Sequence, residues 1–199
     1  MSEDKTTIAV YDAKAEDYAQ AFGDAGKDPG LERFMARLPK GAAVLDLGCG
    51  PGVHAAALHA SGFRVTATDA SAAMVEKARA HEGVIVRQAG FADLDEQGTY
   101  DGVWANFSLL HAARADFPGH LSRIAAALKP GGVFHIGMKT GQGEHRDDLG
   151  RFYTYYSVSE LRDHLKAAGF EVFGEVEGEG AGLAGTVDPW VEMLVRLRA

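Results

Sequence analysis

Runs of apolar residues, bounded by glycine and polar turns, divide the chain into alternating strands and helices. Short runs rich in Val, Ile and Leu predict strands at 43–47, 63–69, 84–88, 100–106 and 133–138, followed by two closing strands at 170–176 and 190–197. Longer runs predict helices at 53–60, at 121–128 and from Ser157 or Ser159 to Gly169. Such alternation predicts an α/β fold, doubly wound and Rossmann-like, with a mostly parallel sheet of about seven strands and helices on both faces.

Polar and glycine-rich stretches mark the remaining segments. Residues 1–10 read as a loose tail, 11–22 as a helix, 23–30 as a turn-rich break and 31–38 as a short helix. Residues 177–188 are rich in glycine and read as a linker that moves or lines a cleft.

The most informative stretch is VLDLGCGPG at 44–52, where the first strand runs into a glycine-rich turn and then a helix. Gly48 and Gly50 lack a Cβ, so the chain can turn sharply and a ligand can lie against the backbone. The helix that follows offers free N–H groups at its N-terminus. This arrangement favours a nucleotide-like ligand, although a tight turn without a ligand remains the alternative.

Spacing separates this turn from two other nucleotide motifs. A G-x-G-x-x-G fingerprint would need glycine at Val53, and no G-K-[ST] follows as in a Walker loop. Asp69 ends the second strand 19 residues after Gly50, where a carboxylate reaches ribose hydroxyls. Alternatively, Asp69 belongs to the N-cap region of the next helix, beside Ser71.

The stretch VLDLGCGPG resembles the first motif of class I S-adenosylmethionine-dependent methyltransferases, of the small bacterial type. A second landmark of that family, LKPGG at 128–132, follows about 80 residues later. The resemblance covers about residues 40–175. It implies S-adenosylmethionine as the cofactor, an antiparallel last strand and a single methyltransferase domain over 1–199, with a helical lid at 1–38 and an α/β core at 40–199.

The resemblance extends the candidate cofactor site beyond Gly48, Gly50 and Asp69. Tyr11 and Tyr18 match lid tyrosines, although their spacing also fits an amphipathic helix that packs its aromatic rings. Phe91 and Asp93 stand where adenine contacts are expected, but without the family's usual Gly-Asp pair. The other candidates lie at strand ends, in the glycine turn or in the segment after the second strand: Asp46, Cys49, Ala70, Met74 and Asn106.

Composition narrows the function. A chain of 199 residues with 46% hydrophobic residues supports one core, and a net charge of −8 without a basic cluster disfavours nucleic acid. The N-terminus has no apolar signal segment, no apolar run is long enough to span a membrane, and the single cysteine permits no internal disulfide, so we expect a cytoplasmic protein. The histidines show no metal-ligand spacing, so no metal is predicted. The oligomeric state stays open.

Residues 139–156 combine charged and aromatic side chains directly after the fifth strand. This composition predicts a substrate loop, with a lid or an interface loop as alternatives. Arg146 and Arg151 suit carboxylate or phosphate groups, which makes an anionic acceptor one option. Tyr153 and Tyr156 offer hydroxyl groups and apolar walls to the same acceptor.

An acceptor that must lose a proton needs a base. His111, beyond the fourth strand, is the first candidate because imidazole titrates near neutral pH, and Tyr153 and Tyr155 come next. A histidine bonded only to backbone is the alternative for His111. The leading hypothesis is methyl transfer to a small-molecule acceptor. The competing ones are a methyltransferase acting on protein or tRNA, an NAD-dependent oxidoreductase and a non-catalytic S-adenosylmethionine-binding protein.

Overall fold

The computed structural model describes residues 4–22 and 28–198. Its main strands are β1 (Ala43–Leu47), β2 (Arg64–Asp69), β3 (Ile85–Gln88), β4 (Tyr100–Asn106), β5 (Leu128–Lys139), β8 (Phe170–Ala181) and β9 (Val187–Leu197). A separate hairpin consists of β6 (Glu144–Arg146) and β7 (Phe152–Thr154). The helices are α1 (Lys5–Ala13), α2 (Ala15–Phe22), α3 (Pro29–Met35), α4 (Val53–Ala60), α5 (Ala72–Ala78), α6 (Phe117–Ala127) and α7 (Val158–Ala167).

Seven strands form one sheet in the order β3-β2-β1-β4-β5-β9-β8. Neighbours from β3 to β5 run parallel, whereas β9 runs antiparallel to both β5 and β8. The predicted doubly wound fold and the antiparallel last strand are therefore confirmed.

Hydrophobic side chains cover both faces of the central strands, as a mostly parallel sheet requires. Side chains alternate along β1, so Leu45 and Leu47 pack on the face covered by α6 and α7. Val44 packs on the other face, in the core that α3 and α4 complete. Asp46 points to this second face and is only 2% exposed. A carboxylate is thus buried in β1 beside the glycine turn.

The path of the chain reverses across the sheet between β1 and β4. Strands β2 and β3 lie on one side of β1, and β4 and β5 lie on the other. The loops that follow β1 and β4 therefore diverge and leave a crevice at the carboxyl ends of these strands. The register aligns Asp46 with Trp104 and Asn106 with Gly137, so residues of three strands meet at this edge.

The N-terminal prediction was partly wrong. Helix α1 begins at Lys5, inside the predicted loose tail, because Asp4 caps it by accepting a hydrogen bond from the Thr7 N–H at 2.8 Å. The predicted single helix over 11–22 is divided at Lys14 into α1 and α2. Residues 1–3 and 23–27, which belong to the predicted tail and break, lie outside the described residues.

Two predicted loops contain strands. Residues 139–156 include the β6–β7 hairpin, and most of the predicted linker at 177–188 extends β8 and β9. A Cβ at Gly178 would lie 2.4 Å from the Trp190 ring, so glycine there permits close packing of an indole on the strand. Gly178 thus reflects close packing, and alternation of apolar residues did not reveal the strands.

Within the described residues, no helix is long and apolar enough to cross a membrane.

Candidate functional site

The glycine turn is held against the neighbouring strand and loop. The N–H groups of Gly48 and Cys49 both donate to the Thr68 carbonyl, at 2.8 and 2.9 Å. Gly48 has a φ of 77°, and a Cβ at this position would lie 2.4 Å from the Ser108 Cβ. The Ser108 hydroxyl in turn donates to the Leu47 carbonyl at 2.6 Å. Both the backbone conformation and the close approach require glycine here.

Asp69 joins the glycine turn to the start of α5. Its Oδ2 accepts from the Gly50 N–H at 2.8 Å, and its Oδ1 accepts from the Ser71 N–H at 2.9 Å. Burial raises the pKa of this carboxyl group above its usual value, although both backbone bonds act in the opposite direction. A carboxylate oxygen can accept more than one hydrogen bond, so Asp69 retains acceptor capacity towards the adjoining cavity.

Two cavities meet at the glycine turn. The smaller one has Asp69 as a polar floor and α1 as its outer wall. Nine predicted cofactor residues line it, together with His111: Tyr11, Tyr18, Gly48, Gly50, Asp69, Ala70, Met74, Phe91 and Asn106. The prediction therefore identified residues from α1, α2 and five other segments that the fold brings together.

The larger cavity has a volume of about 450 Å³ and extends towards the β6–β7 hairpin and the tip of the β8–β9 hairpin. Its volume lies within the range of small-molecule sites. The following residues line both cavities and are called the neck: Tyr11, Tyr18, Gly48, Gly50, Asn106 and Phe107. Phe107 has a φ of 53°, an uncommon conformation for a residue with a side chain.

Two buried polar atoms in the wall of the larger cavity have no hydrogen-bond partner among the described residues. They are Oδ2 of Asp46 and Nε1 of Trp104, whose residues are in register on β1 and β4. Burial raises the pKa of Asp46 to about 7. An unpaired acceptor beside an unpaired donor suits a ligand group that offers both functions.

His111 has both ring nitrogens engaged. Its Nδ1 lies 2.6 Å from the Phe152 carbonyl, which can only accept, so Nδ1 carries the proton. Its Nε2 therefore accepts from the Tyr11 hydroxyl at 2.7 Å, and that hydroxyl accepts from Arg151 Nη1 at 3.1 Å. Burial lowers the pKa of His111 to about 4. The imidazole is thus neutral near pH 7 and holds α1 in place.

Further contacts attach α1 to both sides of the crevice. The Thr7 hydroxyl accepts from the Phe152 N–H at 2.8 Å, and Arg146 donates two bonds to Asp4 at 2.9 and 2.8 Å. On the opposite side, Asp12 accepts from the Ser71 hydroxyl at 2.6 Å. Helix α1 therefore connects the β6–β7 hairpin to the start of α5.

Comparisons with known proteins agree with this geometry. A family model described as a methyltransferase domain matches residues 44–132, from β1 into β5. A trans-aconitate 2-methyltransferase of Paracidovorax citrulli is 40% identical over 130 residues, which are 62% of this chain and 49% of that protein. A cypemycin N-terminal methyltransferase of Streptomyces sp is 41% identical over 133 residues, which are 63% of this chain and 54% of that protein. The chain spans about half the length of these curated relatives.

A solved structure is similar over nearly the whole chain. It is the Burkholderia thailandensis 1,6-didemethyltoxoflavin-N1-methyltransferase with bound 1,6-didemethyltoxoflavin and S-adenosylhomocysteine, at 25% identity and a TM-score of 0.81. The match covers 98% of this chain and 88% of the other. The matched domain and the fold are those of the class I S-adenosylmethionine-dependent methyltransferases.

Four predicted site residues line neither cavity. Asp93 is exposed and caps a short turn by accepting from the Gly90 N–H at 2.9 Å. Arg146 is exposed and pairs with Asp4 instead of facing the crevice. Tyr155 stacks on His145 at 4.4 Å between ring centroids, and Tyr156 packs in the core against Phe117 at 4.8 Å. The structure therefore does not bring these four residues into the two cavities, and their contacts with cofactor or acceptor stay predictions.

The other predicted site residues reach the crevice. Asp46, Cys49, Arg151 and Tyr153 line the larger cavity. The sequence reasoning did not identify the following as site residues: Thr7, Ile8, Phe107, His54, Trp104, Lys139, Asp188, Trp190 and Glu192. The sequence did hold a signal for the last four of these residues, because they lie in or beside the segments 139–156 and 177–188, which were predicted to be loops.

His54 is the most notable of the residues that the prediction missed. Its Nε2 lies 3.1 Å from Oδ2 of Asp28, and both residues line the larger cavity beside Asp46. Burial disfavours the charged imidazole, but Asp28 and Asp46 outweigh it and raise the pKa of His54. A histidine with a raised pKa therefore lies at the end of the cavity where Asp46 and Trp104 are unpaired.

Proposed function

We propose that this protein transfers a methyl group from S-adenosylmethionine to a small molecule held in the larger cavity. The observation that carries this proposal is the pair of cavities that meet at the glycine turn. A ligand with a nucleoside at one end and an amino acid at the other fits a smaller cavity over Asp69 and a polar wall at Asp46. The rest of the larger cavity then receives the acceptor.

The residues of the smaller cavity suit an adenosine group. Asp69 has acceptor capacity for ribose hydroxyls, and Met74 and Phe91 offer apolar surface to a base. Gly48 and Gly50 let the ligand approach the backbone.

At the other end, Asp46 Oδ2 suits an ammonium group, and the Trp104 N–H with His54 suits a carboxylate. The methionine part of the cofactor carries both groups, so the unpaired atoms of the wall fit it.

Bound S-adenosylmethionine supplies a methyl group that its positively charged sulfur makes electrophilic. The protein's contribution is to bind both reactants, to exclude water and to align them at the neck. Helices α1 and α2 contribute Tyr11 and Tyr18 to the neck, and β4 contributes Asn106 and Phe107. The sequence hypothesis that His111 is a base gives way to a positioning role, since Tyr11 occupies its only acceptor nitrogen.

Calorimetric titration with S-adenosylmethionine, S-adenosylhomocysteine and NAD tests the cofactor. We expect micromolar binding of the first two and no heat from NAD. Binding of NAD alone would overturn the assignment of both cavities.

Transfer of labelled methyl groups into a cell extract, separated by dialysis, tests the acceptor class. We expect label in the small-molecule fraction. Label confined to protein or tRNA would contradict a small-molecule acceptor, and absence of transfer despite cofactor binding would favour a non-catalytic protein.

A further inference from the structure

We propose that the acceptor carries a carboxylate group, which binds between Lys139 and Arg151 in the larger cavity. This inference rests on the proposed function and adds the substrate class. It concerns recognition of the acceptor, and it is independent of which acceptor atom is methylated.

Lys139 and Arg151 approach the same aromatic ring from the wall of the larger cavity. Lys139 Nζ lies 4.6 Å from the centroid of the Tyr153 ring, and Arg151 Cζ lies 5.3 Å from it. All three residues line the cavity. The Arg151 side chain is only 2% exposed and that of Lys139 is 14% exposed. Two largely buried cations are thus held at one end of the cavity.

Each cation is fixed by a carboxylate that leaves further N–H groups available. Lys139 donates to Asp188 Oδ2 at 2.6 Å, and Arg151 donates through Nε and Nη2 to Asp147 Oδ2 at 2.9 and 2.7 Å. Neither an ammonium nor a guanidinium group can accept a hydrogen bond. A ligand group that completes their contacts must therefore present acceptor oxygens.

Charge favours a single negative group here. Asp147 and Asp188 balance the two cations, so the pocket itself is close to neutral. The cofactor of the proposed reaction would bring a positive sulfur to the neck, where Tyr11 contacts Arg151. One carboxylate compensates one such charge in a site of low dielectric, whereas a doubly charged phosphate would exceed it.

The opposite end of the cavity does not compete for this group. The proposed function places the methionine part of the cofactor there, beside Asp46, Trp104 and His54. That end is therefore occupied when both reactants are bound. The acceptor is left with the end at Lys139 and Arg151, so its carboxylate points towards the two hairpins.

Tryptophan fluorescence reports on this cavity directly. The chain contains two tryptophans, Trp104 and Trp190, and both line the larger cavity. The protein is first saturated with S-adenosylhomocysteine and then titrated with succinate, benzoate, trans-aconitate, their methyl esters, inorganic phosphate and spermidine. We expect at least one carboxylate to bind, and to bind at least about tenfold more tightly than its ester.

Two variants of the same ion pair give effects of opposite sign. Lys139→Met removes a donor and should weaken carboxylate binding about tenfold or more. Asp188→Asn frees Lys139 from its counter-ion and should strengthen it. Lys139→Arg should restore most of the affinity of Lys139→Met. A pocket for cationic acceptors would show both signs reversed.

A matched control lies at the other end of strand β5. Lys129 pairs with Asp101 at 2.8 Å, and neither residue lines a cavity. Lys129→Met should leave carboxylate affinity unchanged, which separates loss of a local contact from loss of overall charge.

The outcomes separate this inference from the proposed function. Failure of S-adenosylhomocysteine to bind would refute the proposed function. If S-adenosylhomocysteine binds normally but phosphate or spermidine binds in preference to the carboxylates, only the carboxylate site is refuted. The same conclusion follows if no carboxylate binds, or if Lys139→Met binds the carboxylate like the unmodified protein.

Discussion

The two cavities are built in different ways. The floor of the smaller cavity comes from one continuous part of the chain, between Gly48 and Ser108, where turns follow consecutive strands. The outer walls of the larger cavity come from α1, α2 and two hairpins that are distant in sequence. A cofactor that is shared by a whole family suits the first construction. An acceptor that differs between relatives suits the second, since its walls can change without altering the turn.

Helix α1 contributes to the walls of both cavities. It closes the smaller cavity through Asp12 and Ser71, and it holds the β6–β7 hairpin of the larger cavity through Thr7 and Tyr11. Changes at the acceptor side are therefore expected to reach the cofactor through α1, whereas changes at the glycine turn should affect the cofactor first.

The largest expected effect is at Gly48. Gly48→Ala adds a Cβ that would lie 2.4 Å from the Ser108 Cβ at a φ of 77°, so we expect a loss of stability above about 3 kcal/mol. Gly41→Ala is the control, because Gly41 has a φ of 71° and no atom within 4 Å of an added Cβ. It should cost only about 1–2 kcal/mol. Equal losses in urea unfolding would show that the close approach to Ser108 is unimportant.

The second largest effect is expected for Asp69→Ala, which should weaken binding of the cofactor without changing binding of the acceptor. It removes the acceptor for Gly50 and Ser71 as well as for a ribose, so S-adenosylhomocysteine should bind about 10–100-fold more weakly. Asp93→Ala is the control, since Asp93 lines neither cavity. Calorimetry checks both variants. Unchanged affinity in Asp69→Ala would remove this carboxylate from the site.

Tyr11→Phe tests the connection between the two sides. It leaves His111 Nε2 and Arg151 Nη1 without the Tyr11 hydroxyl, so α1 should open more readily and S-adenosylhomocysteine should dissociate about tenfold faster. For Tyr18→Phe we expect a change within about twofold, because the contacts of Tyr18 with Tyr11 and Phe22 are made by its ring. Stopped-flow fluorescence measures both rates. Equal rates in the two variants would mean that the hydroxyl of Tyr11 does not hold α1.

The smallest expected effect is a pH dependence. Burial raises the pKa of Asp46 to about 7, with the charges of His54 and Asp69 nearby. Below that pH the carboxyl group is protonated and must lose its proton to bind an ammonium group. Cofactor affinity should therefore rise severalfold from about pH 6 to about pH 8.

Asp46→Asn should remove this dependence, and His54→Gln should retain it. The second variant separates the carboxyl group from the neighbouring imidazole, whose pKa is also raised. Calorimetry in buffers of different ionisation enthalpy measures the proton release. A pH dependence that persists in Asp46→Asn would assign it to another group.

The residues of the 139–156 segment show where prediction from sequence ended. Arg146 and Arg151 are of the same type and five positions apart, yet one is exposed against Asp4 and the other is buried in the cavity wall. Tyr153 faces the cavity, whereas Tyr156 packs in the core. Composition identified the segment as important, but only the pairing of β6 with β7 fixed which side chain faces which way.

For His111, the sequence predicted the position of the side chain but not its chemical role. Its place after β4 correctly predicted that it would face the cleft, because loops at the carboxyl ends of parallel strands line the crevice. Its hydrogen bonds to Tyr11 and Phe152, which are 100 and 41 residues away, then occupy both nitrogens. A role as a base depends on such partners, and these are set by long-range contacts.

The sequence by itself determined the order of the seven sheet strands along the chain, the glycine turn and the place of Asp69, because these depend on local backbone geometry and on fixed spacing along neighbouring strands. The tertiary structure alone decided the division into two cavities, the engagement of His111 by α1 and the convergence of Lys139 and Arg151 on Tyr153. Each of these depends on the packing of segments far apart in the chain, where burial and partner atoms set the charge and the available hydrogen bonds.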